Sequence, residues 1–341
     1  MHGGDALSPL FLGLSGLALT DAERGFFRDA APAGYILFKR NVDTPEQVRR
    51  LTDSLRALAG RDDVPILIDQ EGGRVARLGP PHWPAFPAGS AFAALYQVAP
   101  VSAIEAARHN ALALALMLRE LGINVDCLPV LDVPQPGAHD IIGDRAYGHD
   151  PMQVAALGSA VLRGLEEGGA VGVIKHIPGH GRAAADSHLE LPVVTASAEE
   201  LAIDLEPFAK LRGAPMAMTA HVVYTAFDPD RCASLSPIVI GEVIRKRIGF
   251  DGLLMSDDLG MKALAGSFAE RTRGVLAAGC DIVLHCSGDM AEMQEVAAAA
   301  PADLSAPAAA RLDRAMAAAG RAPEGVFAEA IAARDDFLAL A

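Results

Sequence analysis

The chain has 341 residues, 51% hydrophobic and 21% charged, a composition that supports a large buried core and excludes disorder as the main state. Its 43 acidic against 29 basic residues leave a formal charge of -14, which repels phosphate backbones and anionic lipid, so neither nucleic acid nor a membrane is an expected partner. Cys127, Cys232, Cys280 and Cys286 form no CxxC pair, and Pro9 to Leu19 lacks a preceding Lys or Arg and runs into Asp21 and Glu23, unlike a secretory signal. Reduced thiols and a cytoplasmic address are the expectation.

In chain order, short apolar runs recur, each followed by a longer amphipathic stretch: Leu10 to Leu14, Gly34 to Phe38, Pro65 to Ile68 and Ile123 to Leu128, then Val171 to Ile174, Pro215 to Met218, Gly252 to Met255 and Cys280 to Leu284. Their lengths suit parallel strands covered by helices on the outside. Thr44 to Leu58 keeps Val48, Leu51, Leu55 and Leu58 at helical period with Thr44 as N-cap, and Ile104 to Leu121 is a second, Ala- and Leu-rich helix. Eight such alternations predict an α/β chain folded as a (β/α)8 TIM-type barrel over about residues 8–300, within a single domain 1–341. After Ser287 the sequence is Ala-rich, punctuated by Pro301, Pro307 and Pro323, and reads as the last barrel helix plus a C-terminal helical cap over about 301–341. That tail equally suits a contact between copies, so a monomer or weak homodimer is expected.

Barrel active sites collect at the carboxyl ends of the strands, and the polar residues ending these runs are numerous. Asp69, Gln70 and Glu71 follow the third run, Lys175 and His176 the fifth, Thr219 and His221 the sixth, Ser256, Asp257 and Asp258 the seventh, and His285 the eighth. His176 and His180 have the spacing of helical metal ligands, yet Pro178 and Gly179 between them oppose a helix, so neither metal nor cofactor is expected. Gly179, Gly181 and three alanines predict a long, weakly packed loop able to move over the pocket mouth. Its end, Asp186-Ser187-His188, supports two readings: an Asx-type turn with an exposed histidine, or a carboxylate that orients an imidazole and raises its basicity for acid/base work. Asp257 fits an ionised nucleophile at a sugar carbon with Asp258 capping the next helix, while the alternatives for the pair are that both are caps or that both bind a divalent cation.

Four segments, DQEGGRV (Asp69 to Val75), GDRAYG (Gly143 to Gly148), KHIPGHG (Lys175 to Gly181) followed by Asp186-Ser187-His188, and SDDLGM (Ser256 to Met261), carry a resemblance to glycoside hydrolase family 3. Within it the chain is similar to the single-domain bacterial β-N-acetylglucosaminidases (β-hexosaminidases), over about residues 10 to 290. The resemblance implies Asp257 as nucleophile forming a covalent glycosyl-enzyme, and His188 paired with Asp186 as the acid/base. It implies Asp69, Arg77, Arg145, Lys175 and His176 as the groups holding a terminal N-acetylglucosamine, and 1,6-anhydro-N-acetylmuramoyl peptides of cytoplasmic peptidoglycan recycling as the substrate. Where many relatives carry an acidic residue after the first strand, this chain reads Leu14-Ser15-Gly16-Leu17, which puts contacts from that corner in question. Two other readings of the residues remain: a Schiff-base aldolase using Lys175, and a sugar-binding barrel without catalysis.

Overall fold

The computed structural model describes residues 7–341 except 188, 318, 320 and 321. All eight apolar runs become strands of one parallel sheet: β1 Ser8–Leu12, β2 Pro32–Leu37, β3 Ile66–Ile68, β4 Val125–Asp126, β5 Val171–Ile177, β6 Met216–Thr219, β7 Leu253–Met255 and β8 Val283–His285. Neighbours follow sequence order from β1 to β7, with β8 beside β1. A parallel bridge between Met255 and Ile282, and Ser256 N–H donating to Ile282 O at 3.0 Å, bring β7 against β8 and close the barrel. Every residue of these eight strands is buried, as expected for strands whose two faces meet the barrel interior and a helical shell.

Two strands differ from their sequence expectation. β4 is only two residues long, because the Asn124 side chain replaces backbone pairing, accepting from Ile66 N–H at 2.7 Å and donating to Val64 O at 3.0 Å, and Pro129 offers no N–H. β5 instead runs three residues past Ile174 and carries Lys175 and His176 inside the strand.

A helix follows each strand. Thr44 caps Pro45–Ala59, its hydroxyl accepting from Gln47 N–H at 3.2 Å, and Gly60 ends it at φ 65°. The longest helix, Pro100–Glu120, packs between Pro151–Glu167 and Phe327–Leu338. Its approach to Pro151–Glu167 is so close that a Cβ at Gly164 would stand 2.1 Å from Arg108 O.

Among the described residues the tail holds three helices. Met290–Ala299 covers the barrel as its last outer helix, and Phe327–Leu338 lies on the outside against Pro100–Glu120. Ala306–Met316 instead sends Leu312, Ala315 and Met316 into the cluster formed by the barrel-interior residues Phe11, Val173, Met216 and Leu253. Burying Leu312 and Met316 contributes about 1.5–3 kcal/mol each. Arg311 fixes this helix by pairing with Asp251 at 2.7 Å and Asp281 at 3.0 Å, acids that precede β7 and β8. The helix therefore stoppers the amino-terminal end of the barrel, and the carboxyl end is left to hold the site. Among the described residues no helix is long and apolar enough to cross a membrane.

Candidate active site

At the carboxyl end of the barrel lies a cavity of about 380 Å³, within the usual range of about 300–1,000 Å³ for small-molecule sites. Six residues given a site role in the sequence line it, Asp69, Arg77, Arg145, Lys175, His176 and Asp257, and so does Asp258, expected there as a helix cap. Glu71 and Arg74, which the sequence reading left without a role, line it too.

The floor is built from the segment after β3. Gln70 closes it by accepting from the N–H groups of Arg77 and Leu78, both at 2.9 Å, and donating to Leu78 O at 2.9 Å. Glycine is required at 72, where φ is 95° and a Cβ would lie 2.2 Å from Pro87 O. This turn aims Asp69 and Glu71 at Lys175 of β5. Lys175 Nζ sits 2.9 Å from Asp69 Oδ1 and 2.7 Å from Glu71 Oε1. Arg77 continues the row on one side, 2.9 Å from Asp69 Oδ2, and Arg145 on the other, its Nε and Nη2 donating to the two Glu71 oxygens at 2.8 and 2.9 Å. The row Arg77, Asp69, Lys175, Glu71, Arg145 thus alternates in sign.

The pairing decides the charge states. Burial pushes both carboxyls up, but Lys175 and Arg77 hold Asp69 well below its ordinary value, and Lys175 and Arg145 bring Glu71 down to about 2. Burial likewise favours a neutral Lys175, yet Asp69 and then Glu71 outweigh it and raise its pKa. An amine that must lose its proton to attack a carbonyl is poorly served by two carboxylates within 3 Å, so the Schiff-base reading of Lys175 fails.

His176 is oriented by Asp132, a wholly buried residue that the sequence reading missed. Asp132 Oδ2 meets His176 Nδ1 at 2.7 Å, and Oδ1 accepts the His176 and His180 backbone N–H groups at 3.2 and 2.6 Å. Burial raises this carboxyl, but His176 first and His180 next bring it down to about 2. Its sequence signal was a single acid inside the apolar run Val130 to Val133.

Asp257 follows β7 on the cavity wall. Its Oδ1 accepts the Asp258 N–H at 2.8 Å. Asp258 is not the helix cap it was expected to be: the next helix starts at Phe268 with Ser267 as its cap. Asp258 Oδ1 instead accepts from Gly260 N–H at 3.0 Å and Cys286 N–H at 2.9 Å, tying the segment after β7 to the one after β8.

The segment after β5 is also more tightly held than expected. Gln135 N–H donates to Gly181 O at 2.9 Å, His139 N–H to Ala183 O at 2.8 Å, and a Cβ at Gly181 would lie 2.1 Å from Val133 O. His180 is buried, its Nε2 3.1 Å from Ser187 Oγ, and burial and His176 bring its pKa down to about 4. Asp186 is half-buried in a turn, its carbonyl accepting from Leu189 N–H at 2.9 Å, and it is not among the residues lining the cavity. His188 lies outside the described residues. None of Leu14 to Leu17 lines the cavity; Leu14 O accepts from Arg40 Nε at 2.7 Å and Ser15 N–H donates to Glu23.

The glycosyl hydrolase family 3 N-terminal domain matches residues 12–316. A β-hexosaminidase of Alkalilimnicola ehrlichii is 41% identical over 286 residues, 82% of this chain and 81% of that protein. One of Thiobacillus denitrificans is 39% identical over 90% of this chain and 86% of its own. Among solved structures, native NagZ from Neisseria gonorrhoeae superposes with a TM-score of 0.86 at 33% identity, covering 98% of each chain. The same Neisseria protein has been crystallised with N-trifluoroacetyl-D-glucosamine.

Proposed function

The chain belongs to glycosyl hydrolase family 3 and is a glycoside hydrolase of the β-hexosaminidase type, and from that premise we propose that it removes terminal, non-reducing N-acetylglucosamine with retention of configuration. The observation that carries the reading is the placing of Asp257 on the wall of the cavity whose floor is the charged row from Arg77 to Arg145. The row's three cations and two anions leave a net positive floor, which favours the ionised Asp257 that a nucleophile needs. Asp69 accepts from sugar hydroxyls, while Arg77, Arg145, Lys175 and His176 donate to ring hydroxyls and to the acetamido carbonyl. A sugar lacking one matching group leaves a buried partner unsatisfied, at a cost of about 1–3 kcal/mol.

In the first step Asp257 attacks the anomeric carbon and forms an ester with it, as the bond to the leaving oxygen breaks and His188, oriented by Asp186, gives that oxygen a proton. In the second, neutral His188 takes a proton from water, whose oxygen displaces Asp257 and restores the free carboxylate. The natural substrate in this reading is a 1,6-anhydro-N-acetylmuramoyl peptide of cytoplasmic peptidoglycan recycling. Support for the acetamido sugar comes from the names of the relatives and from the N-trifluoroacetyl-D-glucosamine complex of the Neisseria protein.

The test is release of p-nitrophenol from its β-N-acetylglucosaminide and its β-glucoside by the wild type and by Asp257→Ala. Turnover of the acetamido substrate alone, abolished by the substitution, is expected. Equal turnover of the glucoside would overturn the sugar assignment, and turnover surviving in Asp257→Ala would overturn the nucleophile.

A further inference from the structure

Next to Asp257 a chain of buried side chains ends on its neighbour, Asp258. His221 follows β6 and is wholly buried. Its Nε2 lies 3.0 Å from Asp258 O, and its Nδ1 lies 2.7 Å from Ser234 Oγ. Ser234 Oγ in turn is 2.6 Å from Thr219 Oγ1, at the end of β6, and 3.1 Å from Ala220 O. None of these three side chains lines the cavity.

The proton positions follow from which atoms can only accept. A carbonyl oxygen has no proton to give, so Nε2 carries the hydrogen facing Asp258 O. Burial pushes the His221 pKa down, with the charge of Asp257 opposing, so the ring is neutral near pH 7 and Nδ1 is an acceptor. Ser234 has one proton and two acceptors in reach, Nδ1 at 2.7 Å and Ala220 O at 3.1 Å; turned to the nearer, Nδ1, it takes a proton from Thr219 in return. Donation runs one way, Thr219 to Ser234 to His221 to Asp258 O, an arrangement in which each bond polarises the next.

Residue 258 is thereby gripped on its carbonyl by His221 and on its side chain by Gly260 N–H and Cys286 N–H. The amide of that fixed residue is the one donating to Asp257 Oδ1 at 2.8 Å. We infer that His221, oriented by Ser234 and Thr219, is a positioning residue for Asp257: it fixes the peptide whose N–H aims the carboxylate at the anomeric carbon. The inference rests on Asp257 being the nucleophile. Because His221 does not line the cavity, its work falls on the chemical step rather than on sugar binding, and a misplacement of about 1 Å at the reacting atom costs on the order of 10²-fold in rate.

The experiment compares His221→Met, which removes the donor, with His221→Gln, whose amide nitrogen reaches the place of Nε2, using p-nitrophenyl β-N-acetylglucosaminide. His221→Met is expected to lose on the order of 10²-fold in kcat with KM within about twofold of wild type, and His221→Gln to recover most of that loss. A folded His221→Met with wild-type kcat, an equal loss in His221→Gln, or a loss confined to KM would overturn the inference. If His221→Met does not fold, Ser234→Ala carries the test: it leaves the ring in place but unfixed, and a fall in kcat at constant KM supports the inference while unchanged kcat overturns it. Asp257→Ala, assayed alongside, separates the two readings. Turnover surviving there removes the nucleophile assignment itself, whereas an inactive Asp257→Ala beside a fully active His221→Met removes only the positioning role.

Discussion

Glu71 Oε1 and Lys175 Nζ meet at 2.7 Å with their side chains 4% and 2% exposed, and Glu71 is at the same time the bidentate partner of Arg145. One carboxylate therefore neutralises two cations in the wall of a cavity, and the cost of removing it is set by what it leaves behind. Glu71→Gln keeps the shape but strands Lys175 and Arg145 beside a single remaining anion, Asp69. A loss of about 3–5 kcal/mol is expected, the usual result of breaking a buried pair by removing one partner. Urea unfolding of the variant against wild type measures it, and a loss below about 1 kcal/mol would show that the row tolerates an unbalanced charge.

The same groups set the acid limit of stability. Glu71 falls from an ordinary 4.5 to about 2 and Asp132 from 3.8 to about 2 in the folded protein. Both folded values are depressed, so the unfolded chain binds protons first as pH drops. Their stabilisation is fully present above about pH 5 and is lost as pH falls towards 2. Urea midpoints taken between pH 6 and pH 3 are expected to fall steeply below 4.5 in wild type and less steeply in Glu71→Gln. Parallel slopes in the two proteins would mean that Glu71 is not ionised in the way its partners imply.

Much of this arrangement was legible before the fold. The barrel was, because runs such as Val171 to Ile174 are apolar on both faces and only a helix-covered parallel sheet buries them that way. Asp69, Lys175, His176 and Asp257 were, because each follows such a run, where a barrel opens. What escaped were residues whose role depends on a partner far along the chain. Glu71 was visible as a strand-end acid, but only folding brings Arg145, 74 residues away, to it. Asp132 belongs to no strand and acquires its role from two histidines 44 and 48 residues on. Asp258 was misread for a related reason: an acid after a strand usually caps a helix, and its actual partner, Cys286 N–H, lies 28 residues beyond.

Asp132 offers a sharper test of the proposed sugar binding than a change in the proposed contact residues themselves. Asp132→Asn keeps the volume, yet replaces one of the two acceptor oxygens with a donor. Either the His176 ring or the backbone N–H groups of His176 and His180 must then face an N–H, and the ring is released from its orientation. An unsatisfied buried group costs about 1–3 kcal/mol, so KM for the acetamido substrate is expected to rise about 10- to 100-fold. Calorimetric titration of N-acetylglucosamine into the variant gives the same quantity without turnover. Wild-type affinity would show that His176 keeps its orientation without Asp132.

Gly181 tests whether the segment after β5 must sit where it does for chemistry. It has no positive φ to protect, but an added methyl would stand 2.1 Å from Val133 O, and backbone cannot yield as the end of a long side chain does. Gly181→Ala must therefore lift residues around 181 from the segment 133–139, weakening the bond from Gln135 N–H to Gly181 O. Overpacking of this kind costs typically 1–3 kcal/mol. Asp69, Glu71 and Arg145 of the charged row belong to other segments, whereas Asp186 and His188, the proposed acid/base pair, lie a few residues downstream. Turnover is expected to fall several-fold more than substrate affinity, with the stability loss read separately by urea unfolding. A variant that loses stability but keeps wild-type kcat would show that the proposed acid/base pair works independently of the segment's anchor at Val133.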